Sequence, residues 1–185
     1  MKKTILTFGL IAGGFTALTM SITVPFEDKF GFNHGLLLGY TMIVLSLMMV
    51  FFGIRSYRDN VSNGQITFVR GFAIGISITL IMCAFYVVTW EIIYFNFMHD
   101  YLDKYSAHMV EKARAAGASA ASIQAQIESM KELKVKYENP FYNAALTFIE
   151  PFPVGLLMTL ISAAILRKRP QTGLPIAARR AGHAL

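Results

Sequence analysis

At 185 residues the chain is long enough for one domain. Hydrophobic residues make up 55% of it, and they are gathered into four long blocks, as a lipid solvent demands and a soluble globule does not. The formal charge of +6 flanks those blocks, and no fold for base or phosphate recognition accompanies it, so a nucleic-acid partner is a poor reading.

The first block runs from Thr4 to Val24. Lys2 and Lys3 before an apolar run also describe a signal peptide, but no A-x-A-like cleavage site follows and the run is long for such a segment. The expectation is an uncleaved span. A short link with Glu27, Asp28 and Lys29 leads to the second block, Gly35 to Ile54. The next link, "RSYRDNVSNGQITFVR", holds Arg55, Arg58 and Arg70 and a turn signal at Asn63-Gly64. Its Ile66 and Phe68 are expected in the headgroup layer. A lipid-head site on Arg55 and Arg58 is the sharper reading there, and membrane anchoring the simpler one.

The third block, Gly71 to about Met98, contains the one cysteine, Cys83. No intramolecular disulfide is possible, and an apolar setting predicts an inert thiol. Tyr86, Trp90 and Tyr94 near its far end fit an aromatic belt at the lipid interface better than a ligand cage.

Residues 99–138 are charged yet carry apolar residues at helical spacing. Leu102, Tyr105, Met109, Ala113 and Ala116 mark one arm. Ala120, Ile123, Ile127, Met130 and Tyr137 mark the other. Gly117 suits the end of the first arm and Ser119 the cap of the second. Asn139-Pro140 stops the second arm. Arms of about 18 and 20 residues predict a helical hairpin roughly 27–30 Å tall, continuous with span three, whose stripes pair in the coiled-coil manner or with a partner.

The fourth block, Phe141 to Leu166, contains "EPFP". Pro151 and Pro153 lack N–H groups, and proline steers its preceding residue away from the α region. The helix is therefore expected to break at Glu150 and restart just after it, with the carboxylate near the positive end of the inner half-helix. A flexible basic tail, residues 170–185, follows.

Orientation follows from Lys and Arg placement. Lys2, Lys3, Arg55, Arg58, Arg70, Arg167, Lys168, Arg169, Arg179 and Arg180 hold ten of the seventeen basic residues, with Asp59 the only acid among them. The segment 99–140 balances six acids with six bases. Four spans with both termini cytoplasmic, the hairpin outside and anionic lipid at the cytoplasmic face satisfy this pattern.

Counting residues at about 1.5 Å each from the basic boundaries gives heights. Glu150 lies about 25 Å above Arg167, Glu91 about 31 Å above Arg70, and His34 about 31 Å above Arg55. All three fall in one layer near the outer boundary. The simpler reading makes Glu150 an interfacial carboxylate at a helix end. The sharper one joins Glu91, Glu150 and His34 in an outward-facing polar pocket. A metal site is disfavoured, since no H-x-x-E or E-x-x-H pair occurs on one helix face. No acid or base falls at the centre of a span, which disfavours a proton path. Gly9 and Gly13, Gly35 and Gly39, and Gly71 and Gly75 form three G-x-x-x-G pairs that favour close helix packing, within one chain or between chains.

Four stretches carry a family resemblance: "LGYTMIVLSLMMVFFGIRSYRD", "GQITFVRGFAIG", "YENP" and "EPFPVGLLMTLISAAILRK". The chain resembles the bacterial domain of unknown function DUF 4199 over nearly its whole length. The resemblance implies a small integral membrane protein of the bacterial inner membrane, and it brings no activity, cofactor or catalytic residue. No Ser/His/Asp, Cys/His or phosphate-loop pattern points to an enzyme. Two expectations remain. The first is a structural or interaction protein that engages a partner or a second copy through residues 99–138. The second is a small oligomeric transporter with Glu91 and Glu150 at an external gate.

Overall fold

A computed structural model of the chain describes residues 1–26 and 32–168. The described residues form seven α-helices: α1 (Lys2–Thr23), α2 (Phe32–Asn60), α3 (Phe68–Phe97), α4 (Tyr101–Ala115), α5 (Ala120–Tyr137), α6 (Pro140–Ile149) and α7 (Pro151–Leu166). A 3-10 turn, Val24–Phe26, follows α1. Four stretches are long and apolar enough to cross a membrane: α1, His34–Asn60 of α2, α3, and α6 with α7 taken together. Exposed Leu6, Leu10, Leu37, Val88, Ile92, Leu157 and Ile165 give these helices an apolar outer surface, as lipid requires and water penalises.

α1 and α7 are both seated on α2 and α3. The most apolar stretch of α3 is 44% buried, against 28–33% in the other three spans, which makes α3 the centre of the bundle. Glycines set the closest approaches. A Cβ on Gly9 would lie 2.8 Å from Ile81, and one on Gly13 would lie 2.6 Å from Phe85, so α1 rests on α3 there. A Cβ on Gly75 would lie 2.8 Å from Thr159, and one on Gly71 would be in ordinary contact with Ala163, so α7 rests on the other side. These two pairs therefore pack within the chain. Gly39 differs, since nothing lies within 4 Å of its Cβ position. Two further close approaches fall outside any G-x-x-x-G pair: Gly53 against Ile78, and Gly155 against Thr79.

Buried hydroxyls join the same helices. Thr16 of α1 and Ser46 of α2 share a hydrogen bond. Thr79 of α3 bonds to Thr159 of α7 at 3.1 Å and donates to the Gly155 carbonyl at 3.4 Å. In lipid, such bonds join helices where burying apolar surface supplies no drive. Cys83 is fully buried.

At the basic end, Asn63 and Gly64 both adopt positive φ, 50° and 76°, and turn the chain sharply between α2 and α3. Ile66 and Lys168 exchange backbone hydrogen bonds of 3.0 and 2.9 Å, tying this link to the end of α7. That tie buries Ile66 to 3% exposure, so its side chain packs inside the protein, whereas Phe68 is exposed. Arg58 donates to Asp59 at 2.7 Å, and Arg55 approaches the same carboxylate at 3.6 Å. Arg55, Arg70, Arg167 and Lys168 are exposed and Arg58 half-buried. Glu27, Asp28 and Lys29, Arg169 and the tail 170–185 lie outside the described residues.

α3 does not run into the hairpin. It ends at Phe97, the next residue Met98 leaves the helical region at φ −136° and ψ 47°, and α4 starts after a turn. The arms α4 and α5 are 15 and 18 residues, and they pack on each other. Gly117, at φ 76°, ends the turn out of α4, and the Ser119 hydroxyl caps α5 by accepting from the Ser122 N–H at 3.2 Å. Lys134 donates to Asp103 across the arms at 2.6 Å, and this bond holds the amine above its ordinary pKa. Asn139 then caps α6 by accepting from the Phe141 N–H at 2.9 Å, with Pro140 in the first turn, so the hairpin passes directly into the fourth span.

Candidate functional site

The two prolines shape the candidate site. Pro151 has no N–H to offer the Thr147 carbonyl, which takes instead a long 3.4 Å bond from the Glu150 N–H. α6 therefore stops at Ile149 and α7 starts at Pro151. The break is slighter than the sequence predicts. Glu150 stays helical at φ −67° and ψ −59°, because packing on both sides overrides the steric preference of a residue before proline. Glu150 makes no side-chain cap bond to α7. Its Oε2 accepts from the Tyr86 hydroxyl of α3 at 2.7 Å.

Glu150 lies on the wall of a half-enclosed cavity of about 360 Å³ near the hairpin end of the bundle. Thr16, Thr19, Met20 and Thr23 contribute one face of α1, and Gly35, Gly39, Met42 and Ile43 one face of α2. The spacing is i, i+3 or i+4, i+7 in both cases, a single helical face. Tyr86 and Trp90 add one face of α3, Tyr101 and Tyr137 the root of the hairpin, and Thr147 a turn of α6. The absence of a side chain at Gly39, with open space beside it, leaves room in the wall.

The three α1 threonines do not present free donors. Thr16, Thr19 and Thr23 each donate back to a carbonyl of their own helix, at 2.9 Å in all three cases. The described part of the wall is mostly apolar and aromatic, with one carboxylate, Glu150. Among the described residues no Lys, Arg or His forms an ion pair with Glu150.

The aromatic residues are not a lipid-facing belt. Tyr86 is 9% exposed, Trp90 7% and Tyr94 2%. Trp90 packs edge-to-face on Tyr101 with centroids 5.1 Å apart, and Tyr94 does the same on Tyr137, also at 5.1 Å. These contacts fix α3 to the hairpin root. A relay of hydrogen bonds continues them. The Trp90 indole N–H donates to the Tyr137 hydroxyl at 2.9 Å, which bonds Thr147 at 3.4 Å. Thr147 donates to Asn143 Oδ1 at 3.1 Å, and Asn143 Nδ2 returns to the Tyr137 carbonyl at 3.4 Å. Burial pushes the Tyr137 phenol above its ordinary pKa, so it remains a neutral donor.

Glu91, Glu150 and His34 are not brought together. Only Glu150 lines the cavity. Glu91 follows Trp90 by one residue and so points about 100° around the helix from it. Its Oε1 is buried and has no hydrogen-bond partner among the described residues. His34 is exposed, although its neighbours Gly35 and Leu36 line the wall. Among the described residues no three His, Cys, Asp or Glu side chains converge as metal ligands. Tyr101, Tyr137 and Asn143 carried no site signal in the sequence, where the first two belong to the hairpin and Asn143 to an apolar helix.

A family model described as "Protein of unknown function (DUF4199)" matches residues 7–168. No curated protein and no solved structure matches the chain.

Proposed function

We infer, for a chain that belongs to the DUF4199 family, that it is a membrane-embedded binding protein and not an enzyme. A small, mostly apolar molecule occupies the cavity, and the hairpin presents the occupied state to a protein partner or a second copy. One observation carries this reading: the cavity of about 360 Å³ is walled by α1, α2, α3 and α6 and also by both ends of the hairpin, Tyr101 and Tyr137. That volume is within the usual range for a small-molecule site. The hairpin arms pack on each other with Tyr105, Met109, Ile123, Ile127 and Met130 only half-buried, so a partner meets the charged surface of α4 and α5 together with the edge of these stripes.

Filling the gap beside Gly39 tests the binding site. Trp90 is the chain's one tryptophan and stands on the cavity wall, so it serves as an energy donor to N-phenyl-1-naphthylamine, a neutral apolar probe. In lipid nanodiscs the wild-type protein is expected to show saturable transfer on top of linear partitioning into lipid. Gly39→Phe is expected to remove the saturable part while keeping the helical circular dichroism. Equal saturation in both proteins would refute the site.

The hairpin belongs to the periplasmic side of a bacterial inner membrane, with the termini and the 55–70 link cytoplasmic next to anionic lipid. Support comes from the basic residues at that end of the bundle. Because Cys83 is fully buried, it stays silent to thiol reagents in the folded protein. Ala116→Cys should therefore react with a membrane-impermeant maleimide in intact spheroplasts, and Ser62→Cys only after lysis. The opposite pattern would invert the topology.

A further inference from the structure

We propose that the occupant of this cavity is a monovalent organic cation, an ammonium-type head on an apolar body, with its charge beside Glu150 and against the aromatic wall. This rests on the binding reading above and specifies its ligand. The argument starts from the imbalance of the wall. Glu150 is a carboxylate about 25 Å from the basic boundary at Arg167, within the hydrocarbon thickness or at its edge. A charge in that place is costly unless a counter-charge or water meets it. Glu150 is half-buried on a half-enclosed cavity, so water reaches only part of it, and Tyr86 supplies one neutral hydrogen bond and no charge. No Lys, Arg or His among the described residues supplies the counter-charge.

The rest of the wall narrows the chemistry. Tyr86, Trp90, Tyr101 and Tyr137 surround a space with few free donors, because the α1 threonines are satisfied by their own backbone. Aromatic faces attract cations most strongly where water is excluded, and Trp does so best. A metal ion needs several oxygen, nitrogen or sulfur ligands, and Glu150 is the only acidic group on the described wall. An anion would face Glu150 with no basic partner among the described residues. A neutral apolar molecule would fit the rings and leave the carboxylate unmatched. An organic cation satisfies both features, and about 360 Å³ holds a head group with a body of ring size.

An isosteric pair separates charge from shape. Benzyltrimethylammonium and neopentylbenzene differ by one nitrogen for carbon exchange and one unit of charge. Trp90 emission in nanodiscs reports both. The wild-type protein is expected to bind the cation saturably. Glu150→Gln keeps an acceptor for Tyr86, and it is expected to weaken cation binding by about tenfold or more while neopentylbenzene changes by less than about twofold, since removing one partner of a close charge pair shielded from bulk water costs at least about tenfold in affinity. Equal weakening of both ligands, or of neither, overturns the proposal. So does a wild-type protein that shows no saturable cation binding, which keeps the test decisive if Glu150→Gln does not fold. If N-phenyl-1-naphthylamine still saturates in that case, the cavity reading stands and only the ligand class falls. If it does not, both fall.

Discussion

Gly155→Val is expected to cost roughly 2–5 kcal/mol, a large fraction of the about 5–15 kcal/mol that holds an ordinary fold. A Cβ at this position would collide with Thr79 Cγ2 and lie 3.1 Å from Leu47 Cδ2. Neither neighbour has room to yield. Thr79 is fully buried, branched at Cβ and bonded to both Thr159 and the Gly155 carbonyl, and Leu47 is fully buried. α3 and α7 must therefore separate. Separation breaks the Thr79–Thr159 bond, itself worth about 0.6–1.7 kcal/mol in lipid. Overpacking contributes about 1–3 kcal/mol more. Gly39→Ala is the matched control. Its Cβ meets nothing, and a helical Gly→Ala exchange is worth about 1 kcal/mol in the favourable direction. Unfolding midpoints in mixed micelles with increasing sodium dodecyl sulfate check both, and a wild-type midpoint for Gly155→Val would refute the close approach of α3 and α7.

That contact shows how much of the bundle was legible beforehand. Four spans are legible because lipid forces about 20 apolar residues per crossing whatever the partners. The hairpin is legible because Gly117, Ser119 and Asn139 act locally, through backbone geometry and side-chain caps. Gly155 is not, because its partner Thr79 is 76 residues away and the pairing lies in tertiary packing. The site divides the same way. Counting along helices gives height and places Glu91, Glu150 and His34 in one layer. It gives no relative rotation between helices, and rotation decides that Glu150 faces the cavity while Glu91 does not. Tyr86, Trp90 and Tyr94 fail for a related reason. A belt and a buried cluster have the same spacing on α3, and only the hairpin folding back through Tyr101 and Tyr137 separates them. The proline pair is legible as a break, but its size is set by packing, which holds Glu150 in helical geometry.

Asn143→Leu is expected to loosen the hairpin root by about 2–4 kcal/mol while leaving the bundle folded. Asn143 is fully buried on α6 and serves two partners, accepting from Thr147 and donating to the Tyr137 carbonyl. Leucine fills a similar volume and supplies neither function. The Thr147 hydroxyl and the Tyr137 carbonyl then lose those partners in an apolar setting, at about 1–3 kcal/mol each where no relaxation helps. The relay from Trp90 to Tyr137 to Thr147 loses its far end. Hydrogen exchange is expected to quicken in α4 and α5 and at the start of α6, with α1, α2, α3 and α7 still protected by the glycine and threonine contacts at their centre. Trp90 emission should shift, because its indole partner is no longer held. Uniform loss of protection across all seven helices would mean that the hairpin root and the bundle unfold as one unit. Local loss places the hinge between hairpin and cavity at this relay. The two ring systems that hold α3 to the hairpin, Trp90 on Tyr101 and Tyr94 on Tyr137, are then the contacts that join the cavity wall to the hairpin.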